Sequence, residues 1–204
     1  MTKRTTMSER PIALGAFKRI LLLGALAGSL AGVMMAGVEM IYGWASPVHS
    51  VWDAPMAIWA YIGGLNHFGH PANHIGSIVL GIGGHMMNAI FVAIVFVVLM
   101  RILKDPPGAV ALVFGIAYGL GLWALQRYVT LPISKPEDTL FTTGRVSPQW
   151  VWWLAHLALG TGIGLGYVLL RGRLAVALPG RVREMPAQPV NRKRHEQTAR
   201  RPAG

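Results

Sequence analysis

The chain has no cysteine among its 204 residues. This absence excludes disulfide scaffolds, thiolate zinc sites, cysteine-held iron–sulfur clusters, c-type haem and lipid anchors on cysteine. Charge is also scarce, because only 13% of the residues are Asp, Glu, Lys or Arg, whereas 53% are hydrophobic. The mean hydropathy is +0.45. This balance is typical of a membrane protein and unusual for a water-soluble domain.

Four apolar runs lack Lys and Arg, and each has about the 20 residues that a helix needs to cross the hydrocarbon core. They are Ile20 to Tyr42, Gly76 to Met100, Gly108 to Gln126 and Trp150 to Leu170. Backbone polar groups in lipid must be satisfied within each helix. The sequence therefore predicts an all-α membrane protein, a four-transmembrane-helix bundle over residues 20–170. Residues 1–19 are predicted to be a basic N-terminal segment, and residues 171–204 a basic, disordered tail.

The basic residues are distributed unevenly around the predicted spans. Sixteen of the 19 Lys and Arg precede the first span, follow the fourth, or lie between the second and third. Only Arg127, Lys135 and Arg145 lie on the other side. Because Lys and Arg near span ends stay in the cytoplasm, both termini are predicted to be cytoplasmic. This pattern explains the net charge of +11 without nucleic acid, and it leaves the lipid bilayer as the expected partner. The first span is too long for a signal peptide, so it is predicted to be retained.

Two loops are predicted on the outer side. The first, from Gly43 to Ile75, is rich in the aromatic residues that collect at the headgroup boundary. Within it, Ala54 to Leu65 is too short to span, so it is predicted to lie in the membrane interface as a helix or to re-enter partly. The second loop, from Arg127 to Gln149, contains three prolines and is predicted to be irregular.

Small residues recur at four-residue spacing in three of the spans. Helices in lipid associate through close backbone approach, so this spacing predicts tight helix packing. The contact could form inside the bundle, which we favour, or with a second copy or another membrane protein. The predicted packing positions are Gly24, Gly28, Gly32 and Ala36 in the first span, Gly115 and Gly119 in the third, and Gly162 and Gly166 in the fourth.

Three ionisable residues fall inside the spans, at depths that place them all in the outer half of the bilayer. Such residues are costly in lipid and by default indicate a functional site. Two amide side chains and a tryptophan are expected near the same level. The predicted outward-opening polar pocket consists of Glu39, His85, Asn88, Trp123, Gln126 and His156.

Several roles for this pocket remain open at the sequence level. The histidines could serve as hydrogen-bond donors between helices, exchange protons, hold a divalent metal together with Glu39, or ligate a b-type haem. No cofactor is selected among these. Three outer-loop histidines, His67, His70 and His74, are weak metal candidates because glycine and proline interrupt any helix that would align them. The chain has no Walker loop or nucleophile elbow, so the sequence identifies no catalytic residue.

A wider pattern links these features. Ala27-Gly28 precedes Glu39, and His85 heads an apolar helix that ends before Pro106-Pro107. The third span closes in Trp123-Ala124-Leu125-Gln126 ahead of Pro132, and the fourth span carries His156. From about Leu22 to Arg171 this pattern resembles the YagU-like family of small bacterial inner-membrane proteins. The segment Leu157 to Gly160 departs from it by lacking bulky aromatic residues. The resemblance implies a multi-pass protein of the bacterial cytoplasmic membrane that is linked with acid or envelope stress and has no established molecular activity.

Three functional hypotheses follow. The first is a membrane protein whose polar pocket responds to protons or binds a small ligand. The second is a non-catalytic subunit that packs against a larger membrane complex through its glycine faces. The third is a b-haem or metal oxidoreductase, for which two intramembrane histidines are the minimum requirement.

Overall fold

The computed structural model describes residues 9–134 and 139–177, and within those ranges the chain forms helices and turns without a β-strand. This confirms the predicted all-α fold. Two single 3₁₀ turns lie in the first outer loop, at Leu65–His67 and Pro71–Asn73. The α-helices are α1 (Glu9–Ala45), α2 (Asp53–Gly63), α3 (Ile75–Ile102), α4 (Gly108–Leu125), α5 (Leu131–Ser134), α6 (Thr139–Thr142) and α7 (Gln149–Ala177).

Four helices are long and apolar enough to cross a membrane, as predicted, and they are longer than the apolar runs alone indicate. By length and composition the candidate spans are Gly15–Ala45, Ile75–Ile102, Gly108–Ile133 and Gln149–Arg173. Basic residues such as Lys18 and Arg101 extend the helices beyond their apolar centres because Lys and Arg are good helix formers. The predicted disordered tail begins inside α7, and its part beyond Ala177 lies outside the described residues.

The third span differs most from its prediction. A π-helical turn, Gln126–Thr130, follows α4 directly and leads into α5, so the start of the supposedly irregular loop is helical. The physical reason is Pro132, which has no N–H to donate to the carbonyl four residues earlier and whose ring crowds that carbonyl. A wider turn before the proline accommodates this defect without ending the helix. The prediction that the loop is irregular from Arg127 onward was therefore wrong at its start.

Glycines on α1 lie against α3. A Cβ added to Gly28 would lie 2.5 Å from the Cα of Ile90, and one added to Gly24 would lie 2.7 Å from the Cα of Ile94. Gly32 faces Met86 in the same way. Residue numbers rise along one helix as they fall along the other, so α1 and α3 run antiparallel. Their backbones approach so closely because no side chain separates them at these positions.

The opposite side of α1 lies against α7. Ala27 and Ala31 are fully buried and contact Gly166 and Gly162 respectively. α1 is thus sandwiched between α3 and α7, again in an antiparallel register that places the start of α1 and the end of α7 at the same end of the bundle. Ala36, the remaining predicted packing position on α1, is half-buried.

A third glycine contact joins α4 to α7. A Cβ on Gly115 would lie 2.7 Å from the Cα of Gly164, and one on Gly119 would lie 2.6 Å from the Cα of Gly160. The helices consequently contact one another in the order α3, α1, α7, α4, and α3 approaches α4 at few points. One of these is a hydrogen bond of 3.0 Å from the Tyr118 hydroxyl to the Val92 carbonyl.

The short helix α2 packs against the outer part of α3. Met56 and Ala57 are fully buried, and the carbonyl of Pro55 occupies the space that a Cβ on Gly81 would need. The other side of α2 meets the second outer loop, where Ala57 and Val146 share a small apolar cluster. The two outer loops therefore form a packed cap over one end of the bundle.

Candidate functional site

A small cavity lies inside the bundle, at the level of the last turn of α4. Its volume is about 30 Å³, which is room for one or two water molecules. Apolar residues from all four long helices form most of the wall. The polar part comes from four of the six predicted pocket residues, namely His85 and Asn88 of α3, Gln126 after α4, and His156 of α7.

His156 is the most enclosed member of the site and has no exposed surface. Its Nδ1 lies 2.9 Å from the carbonyl oxygen of Trp152, one turn earlier on α7. Its Nε2 lies 3.0 Å from Oε1 of Gln126. The Trp152 ring packs edge-on against the imidazole. Both ring nitrogens are therefore engaged in hydrogen bonds, and the ring orientation is fixed.

Gln126 follows α4 directly and continues its helical path, because its N–H bonds to the Leu122 carbonyl four residues earlier. It is also the first residue of the π-helical turn, where the helix widens. Inserted π turns shift the direction of the side chains next to them and occur frequently at functional sites. Close contact of Gly119 with the backbone at His156 and Gly160 brings α4 near enough for the hydrogen bond. The glycine contact and the regular helical path of α4 thus build the Gln126–His156 pair together.

His85 and Asn88 form the side of the cavity that belongs to α3. The His85 Nε2 donates a hydrogen bond of 2.9 Å to the Gly32 carbonyl of α1, so the ring is held across the α1–α3 contact. Gly32 lacks a side chain that would cover its carbonyl on this side. Asn88 lies one turn further along α3 and is exposed on the surface of the bundle as well as lining the cavity.

Two predicted pocket residues do not line the cavity. Glu39 is buried one turn beyond Met35, the residue that α1 contributes to the wall, and its side chain interacts with Ser147 of the outer loop. Trp123 packs its ring edge-on against Tyr128, and its indole nitrogen is buried without a hydrogen-bond partner among the described residues. The sequence analysis placed these residues in one pocket because their predicted depths in the bilayer are similar. Depth does not determine the direction in which a helical side chain points.

The cavity does not suit a haem. A space for one or two waters is far too small for a porphyrin, and the Nε2 atoms of His85 and His156 already make hydrogen bonds. No group of three His, Asp or Glu residues able to hold a metal ion occurs within residues 9–134 and 139–177. The metal arrangement considered above, with two histidines and Glu39, is thus not assembled, since Glu39 lies outside the cavity wall.

The three outer-loop histidines serve different local contacts. The Nδ1 of His67 lies 3.4 Å from the Ser77 hydroxyl, and its ring packs against Trp59. His74 lies next to Gly69, while His70 precedes the 3₁₀ turn that begins at Pro71. In the described part of the loop the three rings therefore do not form a metal-binding group.

A second polar cluster, which the sequence reasoning missed, lies at the opposite end of the bundle. Asp105 accepts hydrogen bonds from Arg101 at 2.5 Å and from the buried Tyr167 hydroxyl at 2.6 Å. Arg171 donates to the Pro106 carbonyl and lies over the Tyr167 ring. Both Lys104 and Asp105 adopt positive φ values, of 60° and 54°, which non-glycine residues rarely do. The signal in the sequence that could have indicated this cluster is the four-residue spacing of Arg101 and Asp105, which is typical of an ion pair along a helix.

Comparison of the chain with protein-family models, curated proteins and solved structures finds no match. The resemblance to the YagU-like family consequently stays a prediction.

Proposed function

We propose that the chain is an integral membrane protein with four spans and with both termini in the cytoplasm. The four long helices carry large apolar side chains on their outer surfaces. Val33, Val79, Phe91 and Val113 are each at least 63% exposed, which is costly in water and favourable in lipid. The skewed distribution of Lys and Arg supports the orientation. The resemblance stated above favours the bacterial cytoplasmic membrane as the location.

Exposed aromatic residues at the capped end support membrane insertion further. The Trp44 side chain is 80% exposed at the end of α1, and that of Trp150 is 61% exposed at the start of α7. Tryptophan in such positions favours the headgroup region, where its ring is partly wet. The cap formed by α2 and the second loop would then lie at the outer membrane–water boundary.

Single cysteines test the topology directly, because the native chain contains none. Val48→Cys, at a side chain that is 80% exposed beside the cap, should react with a membrane-impermeant maleimide in intact cells. Lys104→Cys, in the loop between α3 and α4, should react only after the membrane is permeabilised. The reverse labelling pattern would contradict the proposed orientation. The same behaviour of both sites, labelled in intact cells or labelled only after permeabilisation, would contradict membrane insertion between them.

Within this topology we propose that the cavity is a proton-responsive site, in which His156 takes up the proton and Gln126 adjusts to it. The observation that carries this proposal is the pair of hydrogen bonds at His156. A neutral imidazole has one N–H donor and one acceptor nitrogen, whereas an imidazolium has two donors. The Trp152 carbonyl can only accept, so the Nδ1 of His156 must donate in either state. The Nε2 atom is the one whose role changes.

Gln126 can satisfy both states by rotating its carboxamide. Toward a neutral His156 it presents its NH₂ group, and toward an imidazolium it presents Oε1. The other titratable group on the cavity is His85 from α3; α1 contributes Met35, and α4 contributes Leu122. Glu39 lies one turn outward from Met35. Protonation would thus be coupled to a rotation of Gln126 at the first residue of the π-helical turn.

Nuclear magnetic resonance of the protein in lipid nanodiscs tests this coupling. As the pH falls from about 8 to about 3, a range that covers the ordinary histidine pKa and the lower values that a buried imidazole can reach, the Gln126 side-chain amide signals should shift with the same midpoint as the His156 ring nitrogens. His156→Gln should abolish the Gln126 response. His49→Gln, which removes an imidazole from the loop after α1, is the matched control and should preserve it. Gln126 signals that stay constant while His156 titrates would contradict the proposal.

The resemblance implies acid or envelope stress as the physiological setting, and a site that senses protons from the outer side suits acid stress. The hypothesis of a packing subunit receives less support. The predicted glycine positions of α1 and α7 lie against helices of the same chain, so they are not available to a partner.

A further inference from the structure

Asn88 is a polar side chain in an unusual place. It lies thirteen residues from the start of α3 and fourteen from its end, so in the proposed topology it is near the middle of the bilayer. Its side chain is exposed, and it makes no hydrogen bond to any residue that the structure describes. A carboxamide facing hydrocarbon without partners is energetically costly. A polar residue of this kind needs a hydrogen-bonding partner within the membrane.

The surface around Asn88 is otherwise apolar and unoccupied. Phe91, Val95 and Leu99 follow on the same face of α3 at helical spacing and are 63%, 37% and 39% exposed respectively. In the outer half of α3 the same side is covered by α2, whose Pro55 and Ile58 lie against Gly81 and Gly84. The free surface therefore begins at Asn88 and continues toward the cytoplasmic end.

We propose that this surface, formed by Asn88, Phe91, Val95 and Leu99, is the interface of a homodimer. The proposal rests on the membrane insertion proposed above but does not depend on the proton-responsive site. Two copies with the same topology can be related by a two-fold axis perpendicular to the membrane, which places identical residues opposite each other.

The chemistry of Asn88 favours a second copy over lipid. A carboxamide has two N–H donors and a carbonyl acceptor, so two asparagines facing each other across a two-fold axis satisfy one another. A lipid acyl chain offers no hydrogen bond at this depth. The cavity beside Asn88 has room for only one or two waters, which is too little for a polar headgroup. Polar residues that pair between helices are a recognised means of association in membranes.

The dimer would also complete the cavity. Asn88 lies between the cavity and the outer surface, on the side where α3 and α4 approach each other at few points. A second copy on this surface would cover Asn88 and separate the cavity from lipid.

Disulfide cross-linking in native membranes tests the interface without interference from native cysteine. Phe91→Cys and Val95→Cys should each form disulfide-linked dimers under mild oxidation. Val79→Cys is the matched control, because Val79 is as exposed as Phe91, at 63%, but lies nine residues from Asn88 and thus on the opposite side of α3. Equal cross-linking at all three positions would indicate random collision and would overturn the proposal.

The role of Asn88 itself is tested in the Val95→Cys background. Asn88→Leu should weaken the dimer three- to about twentyfold, the range expected for polar contacts between membrane helices. Asn88→Gln keeps the carboxamide and should retain more of the dimer. Equal dimerisation of Asn88→Leu and the parent would overturn the proposal, provided that Asn88→Leu keeps its helical circular dichroism.

Native mass spectrometry of the parent protein from nanodiscs distinguishes the remaining outcomes. A dimer that Asn88→Leu converts to a monomer supports the proposal. A monomer that retains a lipid, with loss of that lipid in Asn88→Leu, overturns it in favour of a lipid site. Failure of membrane insertion would be recognised separately, by maleimide labelling of Val48→Cys and Lys104→Cys.

Discussion

Replacing Gly119 with alanine is expected to separate α4 from α7 and to break the Gln126–His156 hydrogen bond. The added Cβ would overlap the His156 carbonyl oxygen and lie 2.6 Å from the Cα of Gly160, about 1 Å short of van der Waals contact. Both obstacles are helix backbone, so a side-chain rotation cannot relieve them. A displacement of α4 by about 1 Å would lengthen the 3.0 Å hydrogen bond beyond its useful range.

The expected cost can be estimated from two contributions. Overpacking a close helix contact costs about 1–3 kcal/mol, and loss of a polar contact within a membrane protein costs about 0.6–1.7 kcal/mol. Together they give about 2–5 kcal/mol, a change of roughly 30- to 4000-fold in the ratio of folded to unfolded protein. Titration of detergent-solubilised protein with SDS, followed by the fluorescence of the seven tryptophans, measures this change.

Gly121→Ala is the matched control for this experiment. Gly121 lies two residues further along the same helix, and a Cβ there would meet nothing within 4 Å. Alanine stabilises a helix relative to glycine by up to about 1 kcal/mol, so the control should be unchanged or slightly more stable. If Gly119→Ala and Gly121→Ala unfolded at the same SDS concentration, the close α4–α7 contact would be refuted.

Two further substitutions test other contacts. Tyr167→Phe removes the hydrogen bond to the Asp105 carboxylate and should lower the free energy of unfolding by about 1.5–3 kcal/mol in the same SDS titration, as expected for a bond to a charged acceptor; an unchanged titration midpoint would contradict this contact. Gly81→Ala places a Cβ on the Pro55 carbonyl and should displace α2, which limited proteolysis would detect as faster cleavage of the first outer loop. Gly76→Ala, on the same helix but with open space around it, should be cleaved at the parent rate, and equal rates for both variants would show that α2 does not pack at Gly81.

The positions of the four long helices could be predicted from the sequence because they depend on local properties. A helix that satisfies its own backbone and presents apolar side chains all round needs no knowledge of its neighbours. Runs such as Gly76 to Met100 therefore identify α3 to within two residues at each end. The prediction failed beyond Gln126, where Arg127 and the following prolines indicated an irregular loop but the chain continues through a π-helical turn into α5.

The composition of the candidate site could be predicted only in part. Helical spacing places Asn88 one turn from His85, and this neighbour relation survives in any packing. Whether Gln126 or Glu39 meets His156 depends on the rotation of each helix about its own axis. That rotation is set by the close contacts that glycines such as Gly119 make with the neighbouring helix.

The sequence by itself determined which segments form helices and where small residues permit close approach, and its charge pattern predicts how the helices are oriented. Only the tertiary structure decided which helices use those small residues. α1 places one side against α3 and the other against α7, while α4 contacts α7, so these glycines face one another within the chain. Glycine spacing alone carries no information about a partner, because any backbone can approach a surface without side chains. The same arrangement leaves Asn88 exposed, a consequence of helix pairing that no local pattern predicts.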